Sequence, residues 1–500
     1  MEDIVEIAVG DSYCFFRKNN AVFDAAIDNL ILQELTVSRR VWIRNDIKIM
    51  WHAFYDNKRR MFPQGLLGVV LDVLRKNNIG FRIVQACRHN YDEVKPNIEP
   101  QGLSLRDYQK HAIEHALFLG RCVINIGTGG GKTEVGACLA ASIDAPVLWL
   151  INRSQLVLQT RDRVLRYFPD LPVAICAGGD NFISPRLTIA TVQSLYRLLS
   201  VRSKHFFEYF RGLIVDECHQ VTQDKWYRIA LACTNAHWRF GLTGTVHKKD
   251  RVKYYQMLGA CGQIVDYAGI NTLIKDGYAA KPKFIFLQLG DSCYERPDVV
   301  FSRMGSGPLK KLWDPQSYAQ RYMALHLINI VLNEARNNAI VNIINTCIDY
   351  GLKVLVLVSR IKHGMSLLDK VSRGVFLSGK SDPSFRQNII KNFERSQVGC
   401  CIIATSIFDL GVDIPSIHVL ILAGGGKSEI QTQQRIGRAL RVAPGKKQVT
   451  IIDFMDGIRG YNVDYLYKHS EDRLAIARRY FGDIFVMDYD SLMEYLKGNE

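Results

Sequence analysis

A glycine-rich stretch combines the residue types that bind phosphate, and it reads Asn125-Ile126-Gly127-Thr128-Gly129-Gly130-Gly131-Lys132-Thr133. Its glycines let several backbone N–H groups turn towards one anion, and the start of a following helix adds a favourable dipole. Lys132 would reach the β- and γ-phosphates of a nucleotide, and the Thr133 hydroxyl would ligate Mg²⁺. The common phosphate-loop pattern has glycine where this chain has Ile126. A flexible glycine turn is the alternative, but the Gly-Lys-Thr ending between a strand and a helix favours nucleotide binding.

Two acidic residues would complement this loop, because Asp216 and Glu217 directly follow the apolar run Gly212-Leu213-Ile214-Val215. Asp216 would hold Mg²⁺, through water. Glu217 would accept a proton from the attacking water or orient it. The alternative interpretation is that the pair caps a helix.

An arginine-rich segment, Gln434-Arg435-Ile436-Gly437-Arg438-Ala439-Leu440-Arg441, would supply positive charge. Arg438 and Arg441 share one face if the segment is helical. From the far side of a nucleotide shared by two domains, they would stabilise charge on the transferring γ-phosphoryl group as arginine fingers. Such a helix is otherwise a solvated face. The glycine loop, the acidic pair and these arginines, in this order and each at the end of an element, together predict ATP hydrolysis.

Short apolar runs alternate with helical segments on both sides of an irregular stretch, which predicts two parallel α/β domains. Ligands of such sheets bind at the carboxyl ends of the strands, where the glycine loop and the acidic pair lie. The predicted boundaries are 1–95 for a small α/β or α+β accessory module, 96–104 for a linker, 105–289 and 321–456 for the two domains, 290–320 for a linker or insertion and 457–500 for a helical C-terminal tail.

The overall composition favours a polyanionic partner, because the net charge is +15 and the pI is near 9.2. General solubility is the alternative explanation. The 12 cysteines are scattered and match neither a zinc nor a disulfide framework, so we expect a reducing compartment. The acidic start is not a signal peptide, and no apolar run approaches the roughly 20 residues that span a membrane.

The N-terminal module interleaves basic and aromatic residues. The basic residues are Arg39, Arg40, Arg44, Lys48, Lys58, Arg59 and Arg60, and the aromatic ones are Trp42, Trp51, Phe54 and Tyr55. This mixture suits a nucleic-acid surface, and it suits a solvated face over core aromatics equally well.

Several of these stretches, taken together, resemble the motif set of superfamily 2 helicases and translocases over residues 105–456. The similar stretches are Leu105-Arg106-Asp107-Tyr108-Gln109, Gly127 to Thr133, Asp216-Glu217-Cys218-His219, Leu242-Thr243-Gly244-Thr245, Thr405 to Pro415 and Gln434 to Arg441. The resemblance implies two RecA-like domains in tandem. Gly244 stands where many helicases have alanine.

The resemblance also implies roles for individual residues. Arg106 and Gln109 would contact adenine, and Gly411 and Asp413 would bind nucleotide from the second domain. The residues implied to contact nucleic acid are Asn152, Arg153, Thr191, Gln193, Ser359, Arg360 and Thr405. Those implied to couple hydrolysis to domain movement are His219, Thr243, Thr245 and Gln434.

Within the superfamily the chain looks most like phage recombination helicases of the UvsW type. The small module before Tyr108-Gln109, the Asp-Glu-Cys-His box and the run Phe62-Pro63-Gln64-Gly65-Leu66-Leu67-Gly68 carry this likeness. It implies an ATP- and Mg²⁺-dependent DNA helicase that processes forks, Holliday junctions and R-loops, in the host cytoplasm if phage-encoded. A monomer could work because both halves of the ATP site lie in one chain. A double-strand translocase, an RNA helicase and a scaffold with an inactive nucleotide site remain as alternatives, although the intact Lys132, Glu217 and arginines disfavour the scaffold.

Overall fold

The computed structural model describes residues 4–43, 46–85, 94, 99–179, 182–201, 205–248, 250–306, 314, 317–405, 414–426, 436–437, 439–442, 446, 448–461 and 464–498. The chain divides into two compact units, Met1–Gly269 and Ile270–Glu500. Among the described residues, no helix is long and apolar enough to cross a membrane.

A small four-stranded sheet begins the first unit. In spatial order its strands are Met61–Pro63, Tyr13–Phe16, Val5–Val9 and Phe81–Gln85. The accompanying elements are the helices Ala21–Leu35 and Leu67–Lys76, the 3-10 turn Gln64–Leu66, and an antiparallel hairpin of the strands Thr36–Ile43 and Asp46–Ala53. The prediction of a small N-terminal α/β or α+β module is thereby confirmed.

The N-terminal module shares a hydrophobic core with the helix Arg251–Cys261. The rings of Phe54 and Tyr255 meet edge-on with centroids 5.8 Å apart. Gly65 lies so close to this helix that a Cβ there would stand 1.8 Å from the Leu258 carbonyl oxygen. This contact explains the glycine in the Phe-Pro-Gln-Gly run, and it makes the module continuous with the sheet domain that follows.

The rest of the first unit surrounds a seven-stranded sheet. In spatial order its strands are Ile264–Ala268, Arg121–Ile126, Trp238–Thr243, Gly212–Val215, Val147–Ile151, Leu187–Thr191 and Val173–Cys176, and neighbours pair in parallel. The helices are Asp107–Leu119, Lys132–Ser142, Ser154–Tyr167, Val192–Val201, His205–Glu208, Asp224–Ala232 and Arg251–Cys261, with a 3-10 turn at Cys218–Thr222. Most strands are continuous runs of buried side chains, as expected where helices cover both faces of a sheet.

The strand order divides the carboxyl edge of this sheet into two halves. Arg121–Ile126, Trp238–Thr243 and Gly212–Val215 are neighbours, and the glycine loop, Gly244-Thr245 and the acidic pair follow them. The strands Val147–Ile151, Leu187–Thr191 and Val173–Cys176 form the other half. Residues predicted to bind nucleotide and residues predicted to bind nucleic acid therefore occupy different halves of one edge.

The second unit is built on another seven-stranded parallel sheet. In spatial order its strands are Gly374–Leu377, Cys400–Ala404, Lys353–Leu357, Val419–Leu422, Gln448–Phe454, Lys281–Gln288 and Ile484–Asp488. The helices are Ile270–Lys275, Pro297–Ser306, Tyr318–His326, Glu334–Asp349, Ile361–Leu368, Pro383–Arg395, Tyr465–Phe481 and Tyr489–Lys497, with a π-helical turn at Leu327–Val331 and a 3-10 turn at Asp291–Cys293. Two RecA-like parallel sheets in tandem confirm the predicted fold class.

Two strands extend the second sheet beyond its predicted limits. Lys281–Gln288, which the boundary at 289 placed in the first domain, pairs with Gln448–Phe454. Ile484–Asp488, within the predicted helical tail, pairs with Lys281–Gln288 on its other side. The structure therefore differs from the predicted domain boundaries at both ends of this domain.

The stretch 290–320, predicted as a linker or insertion, contains the helix Pro297–Ser306 in its described part. Val300 on that helix and Leu325 further along the chain share a core cluster with Leu466. The stretch is thus a packed layer of the second unit.

A buried ionic network holds the helix Tyr465–Phe481 against the second sheet. Arg473 Nε lies 2.9 Å from Asp453 Oδ2, and Arg336 Nε lies 2.7 Å from Asp456 Oδ1. Burial raises the pKa of Asp453, and the Arg473 guanidinium opposes that rise. Removing one partner of such a pair costs about 3–5 kcal/mol, since a buried charge is left uncompensated. This helix is therefore an integral part of the domain.

Candidate functional site

The glycine loop joins the strand Arg121–Ile126 to the helix Lys132–Ser142, as its sequence predicts. Gly131 precedes the helix with a φ of +79°, in the left-handed region. Gly127 N donates to the Ala268 carbonyl oxygen at 2.8 Å, which ties the loop to the neighbouring strand. The loop thus places backbone N–H groups and the positive end of a helix dipole at the carboxyl edge of the sheet.

Side chains from the start of the helix Asp107–Leu119 hold the loop backbone. Tyr108 OH and Gln109 Nε2 both donate to the Gly130 carbonyl oxygen, at 2.8 and 3.0 Å. Gln109 Oε1 accepts from the Arg106 backbone N–H at 2.9 Å, and Arg106 Nη1 donates to Tyr108 OH at 2.8 Å. Arg106 and Gln109 therefore position the phosphate loop, while their contact with adenine stays a prediction.

Replacing Gly131 by alanine is expected to weaken ATP binding about tenfold, by the loss of a buried hydrogen bond. A Cβ at this position would lie 2.1 Å from Gln109 Nε2, so the amide would have to leave the Gly130 carbonyl. The left-handed backbone adds a cost of about 1–2 kcal/mol for any residue with a Cβ. Titration with a fluorescent ATP analogue measures the affinity, and thermal unfolding measures the stability.

Gly102→Ala is the matched control for this backbone cost. Gly102 has a φ of +66°, and nothing lies within 4 Å of the position its Cβ would take. Gly102→Ala should lose only the stability that the left-handed backbone costs, while Gly131→Ala should lose more stability and, unlike the control, ATP affinity. Equal ATP affinity in the two variants would contradict the role assigned to the Gln109–Gly130 contact.

The Lys132 side chain lies in a confined space beside the loop. Its Nζ donates to the Ile126 carbonyl oxygen at 3.2 Å. A Cβ on Gly244 would stand 3.3 Å from this Nζ and 3.1 Å from the Ile126 carbonyl oxygen. The glycine at position 244 thus leaves room for the lysine, which gives a physical reason for the residue found where many helicases have alanine.

The acidic pair follows the strand Gly212–Val215, and Glu217 has a φ of +47°. A positive φ is uncommon for a residue with a Cβ, and such strain concentrates at functional sites. Glu217 Oε2 lies 3.3 Å from His219 Nδ1. The strained backbone therefore sets a carboxylate beside an imidazole at the same edge as the glycine loop.

His219 connects this carboxylate to the neighbouring strand end. Its Nδ1 lies 3.3 Å from Thr243 Oγ1, and that hydroxyl donates to the Thr245 carbonyl oxygen at 2.7 Å. Burial lowers the pKa of His219, although the Glu217 carboxylate opposes this, so the ring is neutral near pH 7. Since the Thr243 hydrogen is already donated, Nδ1 carries the ring proton, which lies between the Thr243 hydroxyl and the Glu217 carboxylate. These contacts bring together His219, Thr243 and Thr245, three of the four residues predicted to couple hydrolysis to movement, and that role itself stays a prediction.

The other half of the edge contains the residues of the first unit that were predicted to contact nucleic acid. Arg153 and Gln193 are exposed, and Asn152 Nδ2 donates to Gln220 Oε1 at 3.0 Å. Thr191 is only 2% exposed, and its hydroxyl donates to Ser194 Oγ at 3.0 Å. The Thr191 side chain therefore shapes the start of a helix, and Arg153 and Gln193 are the side chains that face solvent.

Two glycines that the sequence interpretation missed lie at the same half of the edge. Gly178 and Gly179 follow the strand Val173–Cys176 with φ values of +68° and +117°. Nothing lies within 4 Å of the positions their Cβ atoms would take. Two adjacent open glycines let a phosphate approach the backbone, and the signal in the sequence is a Gly-Gly pair directly after an apolar run.

In the second unit, Ser359, Arg360 and Thr405 lie at the carboxyl ends of neighbouring strands. Ser359 and Arg360 follow Lys353–Leu357, and Thr405 follows Cys400–Ala404. Arg360 precedes the helix Ile361–Leu368 and is exposed. Their predicted contact with nucleic acid stays a prediction.

Three residues of the second unit that were predicted to bind nucleotide lie outside the described residues, namely Gly411, Asp413 and Arg438, and so does Gln434, which was predicted to couple hydrolysis to movement. Arg441 is described and forms an isolated antiparallel bridge with Ala279. Lys446, buried nearby, donates to the carbonyl oxygens of Pro415 and Ala439 at 2.7 and 2.6 Å. Burial lowers the pKa of Lys446 to about 7. This lysine ties the ends of the two stretches that were predicted to bind nucleotide.

Two protein families match the chain, each over one of the two units. The family described as type III restriction enzyme, res subunit, matches residues 102–248. The helicase conserved C-terminal domain matches residues 335–443. These ranges contain the glycine loop, the acidic pair and the arginine-rich segment.

Two relatives match most of the chain. The ATP-dependent DNA helicase uvsW of Enterobacteria phage T4 is 24% identical, over 83% of this chain and 85% of the phage protein. The DNA 3'-5' translocase XPB2 of Sulfurisphaera tokodaii is 26% identical, over 68% of this chain and 79% of that protein.

Among solved structures, a fragment of an HsdR subunit of a type I restriction enzyme from Vibrio vulnificus is similar with a TM-score of 0.57 and 16% identity. The similarity covers 94% of this chain and 83% of that one. At this identity the likeness concerns the fold, and it agrees with two tandem RecA-like sheets.

Proposed function

The chain belongs to the superfamily 2 helicases and, within them, to the UvsW type, and from this membership we propose that it is an ATP-dependent DNA helicase. It translocates on DNA and unwinds or branch-migrates forks, Holliday junctions and R-loops in recombination, repair or replication. The observation that carries the proposal is the carboxyl edge of the first sheet, where three neighbouring strands end in the glycine loop, Thr243 and the acidic pair.

ATP hydrolysis follows from the side chains at these strand ends. The loop N–H groups and Lys132 would hold the β- and γ-phosphates, and Glu217 would take a proton from the attacking water. Thr133 and Asp216 offer the hydroxyl and carboxylate oxygens that Mg²⁺ prefers, so they fit this ion, which neutralises phosphate charge when bound. Arg438 and Arg441 would stabilise the charge that develops on the γ-phosphoryl group.

When the γ-phosphate is lost, the resulting structural change would be transmitted to the rest of the first unit through Glu217, His219 and Thr243. The neutral imidazole contacts both the carboxylate and the threonine hydroxyl, so a change in the charge near Glu217 alters its partners. We assign the coupling between ATP hydrolysis and domain movement to these three residues in contact, together with Thr245 and with Gln434 of the second unit.

DNA would follow the other half of the edge, past Arg153, Gln193 and the Gly178-Gly179 pair. Arginine, amide and backbone N–H groups bind phosphate oxygens, and contacts of this kind read the DNA backbone and carry no sequence information. Ser359, Arg360 and Thr405 would make equivalent contacts in the second unit. We expect the enzyme to act in the cytoplasm, which is that of the host if the protein is phage-encoded, and a monomer could work because both halves of the ATP site lie in one chain.

The proposal is tested by the ATPase rate without nucleic acid and with single-stranded DNA, duplex DNA, a four-way junction or single-stranded RNA, with strand separation scored in the same samples. We expect the strongest stimulation and separation with the junction. Stimulation by RNA alone would overturn the DNA assignment.

Translocation on duplex DNA without strand separation is the second candidate function. It is favoured by the similarity to a protein named as a DNA 3'-5' translocase. Stimulation by duplex DNA with no separated strand in the same assay would establish it and would reject unwinding.

Some of the basic and aromatic residues of the N-terminal module belong to its core, and others are exposed as a nucleic-acid surface requires. Phe54 and Tyr55 are buried core side chains, and buried Arg60 pairs with Asp24 at 2.9 Å. Trp51 is 69% exposed, and Lys48, three residues earlier on the same strand, is exposed too. We propose that this strand contacts DNA bases or backbone at a branch.

Trp51→Ala is expected to raise the DNA concentration for half-maximal ATPase stimulation about fivefold to 100-fold, since stacking of a base on an aromatic ring contributes roughly 1–3 kcal/mol. Phe118→Ala is the matched control, because Phe118 is an aromatic residue 80% exposed on the helix Asp107–Leu119 of the same unit. The measurement is ATPase rate against junction concentration. Equal curves for the two variants would remove the hairpin from the DNA-binding surface.

A further inference from the structure

One buried histidine of the second unit joins two strand ends that carry different predicted tasks. His326 ends the helix Tyr318–His326 and is 6% exposed. Its Nε2 lies 3.0 Å from the Gly424 carbonyl oxygen and 3.1 Å from Ser359 Oγ. A carbonyl oxygen only accepts, so Nε2 carries the proton and donates to Gly424.

Gly424 and Ser359 belong to the carboxyl edge of the second sheet. Gly424 follows the strand Val419–Leu422, and Ser359 follows the adjacent strand Lys353–Leu357. A Cβ on Gly424 would stand 2.8 Å from Ser359 N, so the two strand ends are in contact. The histidine therefore fixes the distance between two segments that already touch.

The two segments lead to different functions. Ser359 begins the pair with Arg360, which is predicted to contact nucleic acid. Gly424 begins the glycine run up to Gly426, from which the chain continues to the arginines at 438 and 441. His326 contacts both segments. It therefore links the position of the predicted DNA contact to the glycine run that precedes the arginines predicted to bind phosphate.

A second buried side chain holds the same glycine run. Arg473 Nη1 donates to the Gly426 carbonyl oxygen at 2.7 Å. Gly425 and Gly426 have φ values of +62° and +105°, a backbone that glycine adopts readily and that side-chain donors can fix. The run is thus held at both ends, by His326 at Gly424 and by Arg473 at Gly426.

The two helices that carry His326 and Arg473 contact each other through other side chains. Tyr318 OH lies 2.8 Å from His469 Nε2, on the helix that carries Arg473. The Tyr322 and His469 rings have centroids 4.9 Å apart. The helices Tyr318–His326 and Tyr465–Phe481 therefore pack against each other, and His326 and Arg473 each reach the glycine run through a separate hydrogen bond.

We propose that His326 is a positioning residue that couples the Ser359-Arg360 segment to the Gly424–Gly426 run, so that DNA bound at the first changes ATP hydrolysis through the second. The proposal rests on the helicase function above and adds a residue that neither family motif includes. Its donor is one N–H, on Nε2, that lies within hydrogen-bond distance of both a carbonyl and a hydroxyl oxygen. The π-helical turn Leu327–Val331 follows His326 directly, and such turns are frequent at functional sites.

His326→Leu is expected to raise the junction concentration for half-maximal ATPase stimulation about tenfold, which corresponds to about 1.4 kcal/mol, and to lower the stimulated kcat as well. Leucine fills the site without donating, so the Gly424 carbonyl loses its partner. His326→Gln is expected to restore both quantities in large part, because a glutamine Nε2 can donate from nearly the same place as the imidazole Nε2.

Tyr318→Phe is the matched control. It removes one hydrogen bond from the same helix, the bond to His469, and touches neither Gly424 nor Ser359. His326→Leu and Tyr318→Phe should lower the thermal midpoint by a similar few degrees. Only His326→Leu should change the dependence of the ATPase on DNA.

The outcomes separate this inference from the proposed function. If the unsubstituted protein shows no stimulation by any DNA, the helicase function fails. If it is stimulated and His326→Leu behaves like Tyr318→Phe, or glutamine does not rescue, His326 is a structural residue and the coupling role is rejected.

Discussion

Replacing Glu217 by glutamine is expected to lower kcat for ATP hydrolysis by a factor of about 10²–10⁴ while ATP stays bound. The amide has nearly the shape of the carboxylate and keeps an oxygen beside His219, so the strained backbone and the neighbouring contacts are preserved. It has no basic group to take a proton from water. Single-turnover hydrolysis and filter binding of labelled ATP measure the two quantities separately.

Glu208→Gln is the matched control for this variant. Glu208 lies in the same unit, and its carboxylate contacts the exposed His205 at 3.1 Å. This variant should hydrolyse ATP like the unsubstituted protein. Normal turnover in Glu217→Gln would reject Glu217 as the general base and direct attention to Asp216.

The sequence was sufficient to predict the carboxyl edge of the first sheet. The strands there are largely buried apolar runs, and residues that apolar cores exclude follow them within a few positions, such as Asp216 or Lys132. A strand end of this kind is defined by a few adjacent residues. Local signals therefore locate both the element and the side chain that is predicted to act there.

Strand partners were harder to predict, because pairing is a long-range property. Lys281–Gln288 reads as one more buried strand, and nothing within it tells which sheet it joins. Its partner Gln448–Phe454 lies far along the chain. Ile484–Asp488 is an edge strand with half-exposed or exposed residues throughout. Its short apolar run lies between two helices, and the whole stretch was therefore taken as a helical tail.

The sequence also did not predict which individual side chains are buried. Arg473 lies on a helix rich in charged residues and reads as solvated, yet it is buried against Asp453. Thr191 fits a motif that contacts nucleic acid, and its hydroxyl points to Ser194. Trp51 and Tyr55 are close in sequence, and only one of them is exposed. Residue type gives the chemistry available, while packing decides which atoms reach solvent.

Replacing Lys132 by alanine is expected to abolish detectable turnover and to weaken ATP binding about 10- to 100-fold. A hydrogen bond to a charged group contributes roughly 1.5–3 kcal/mol to binding. The same ammonium stabilises charge that develops in the transition state, where loss of one donor costs about 10²–10³ in kcat. The losses in binding and in turnover combine, because the Lys132 Nζ atom would contact phosphate in both the ATP-bound state and the transition state. Steady-state ATPase and ATP titration check them.

Lys132→Arg tests whether a positive charge at this position is sufficient or whether the size and shape of lysine are also required. The lysine Nζ lies 3.2 Å from the Ile126 carbonyl oxygen, and Gly244 leaves little further space on its other side. A guanidinium is larger and planar, so arginine should keep part of the ATP affinity and still fail in turnover. Lys110→Ala, at an exposed position on the helix Asp107–Leu119, should retain both. Full turnover in Lys132→Ala would mean that the glycine loop binds no catalytic phosphate. Full turnover in Lys132→Arg alone would mean that charge suffices and that the close approach of Gly244 does not select lysine.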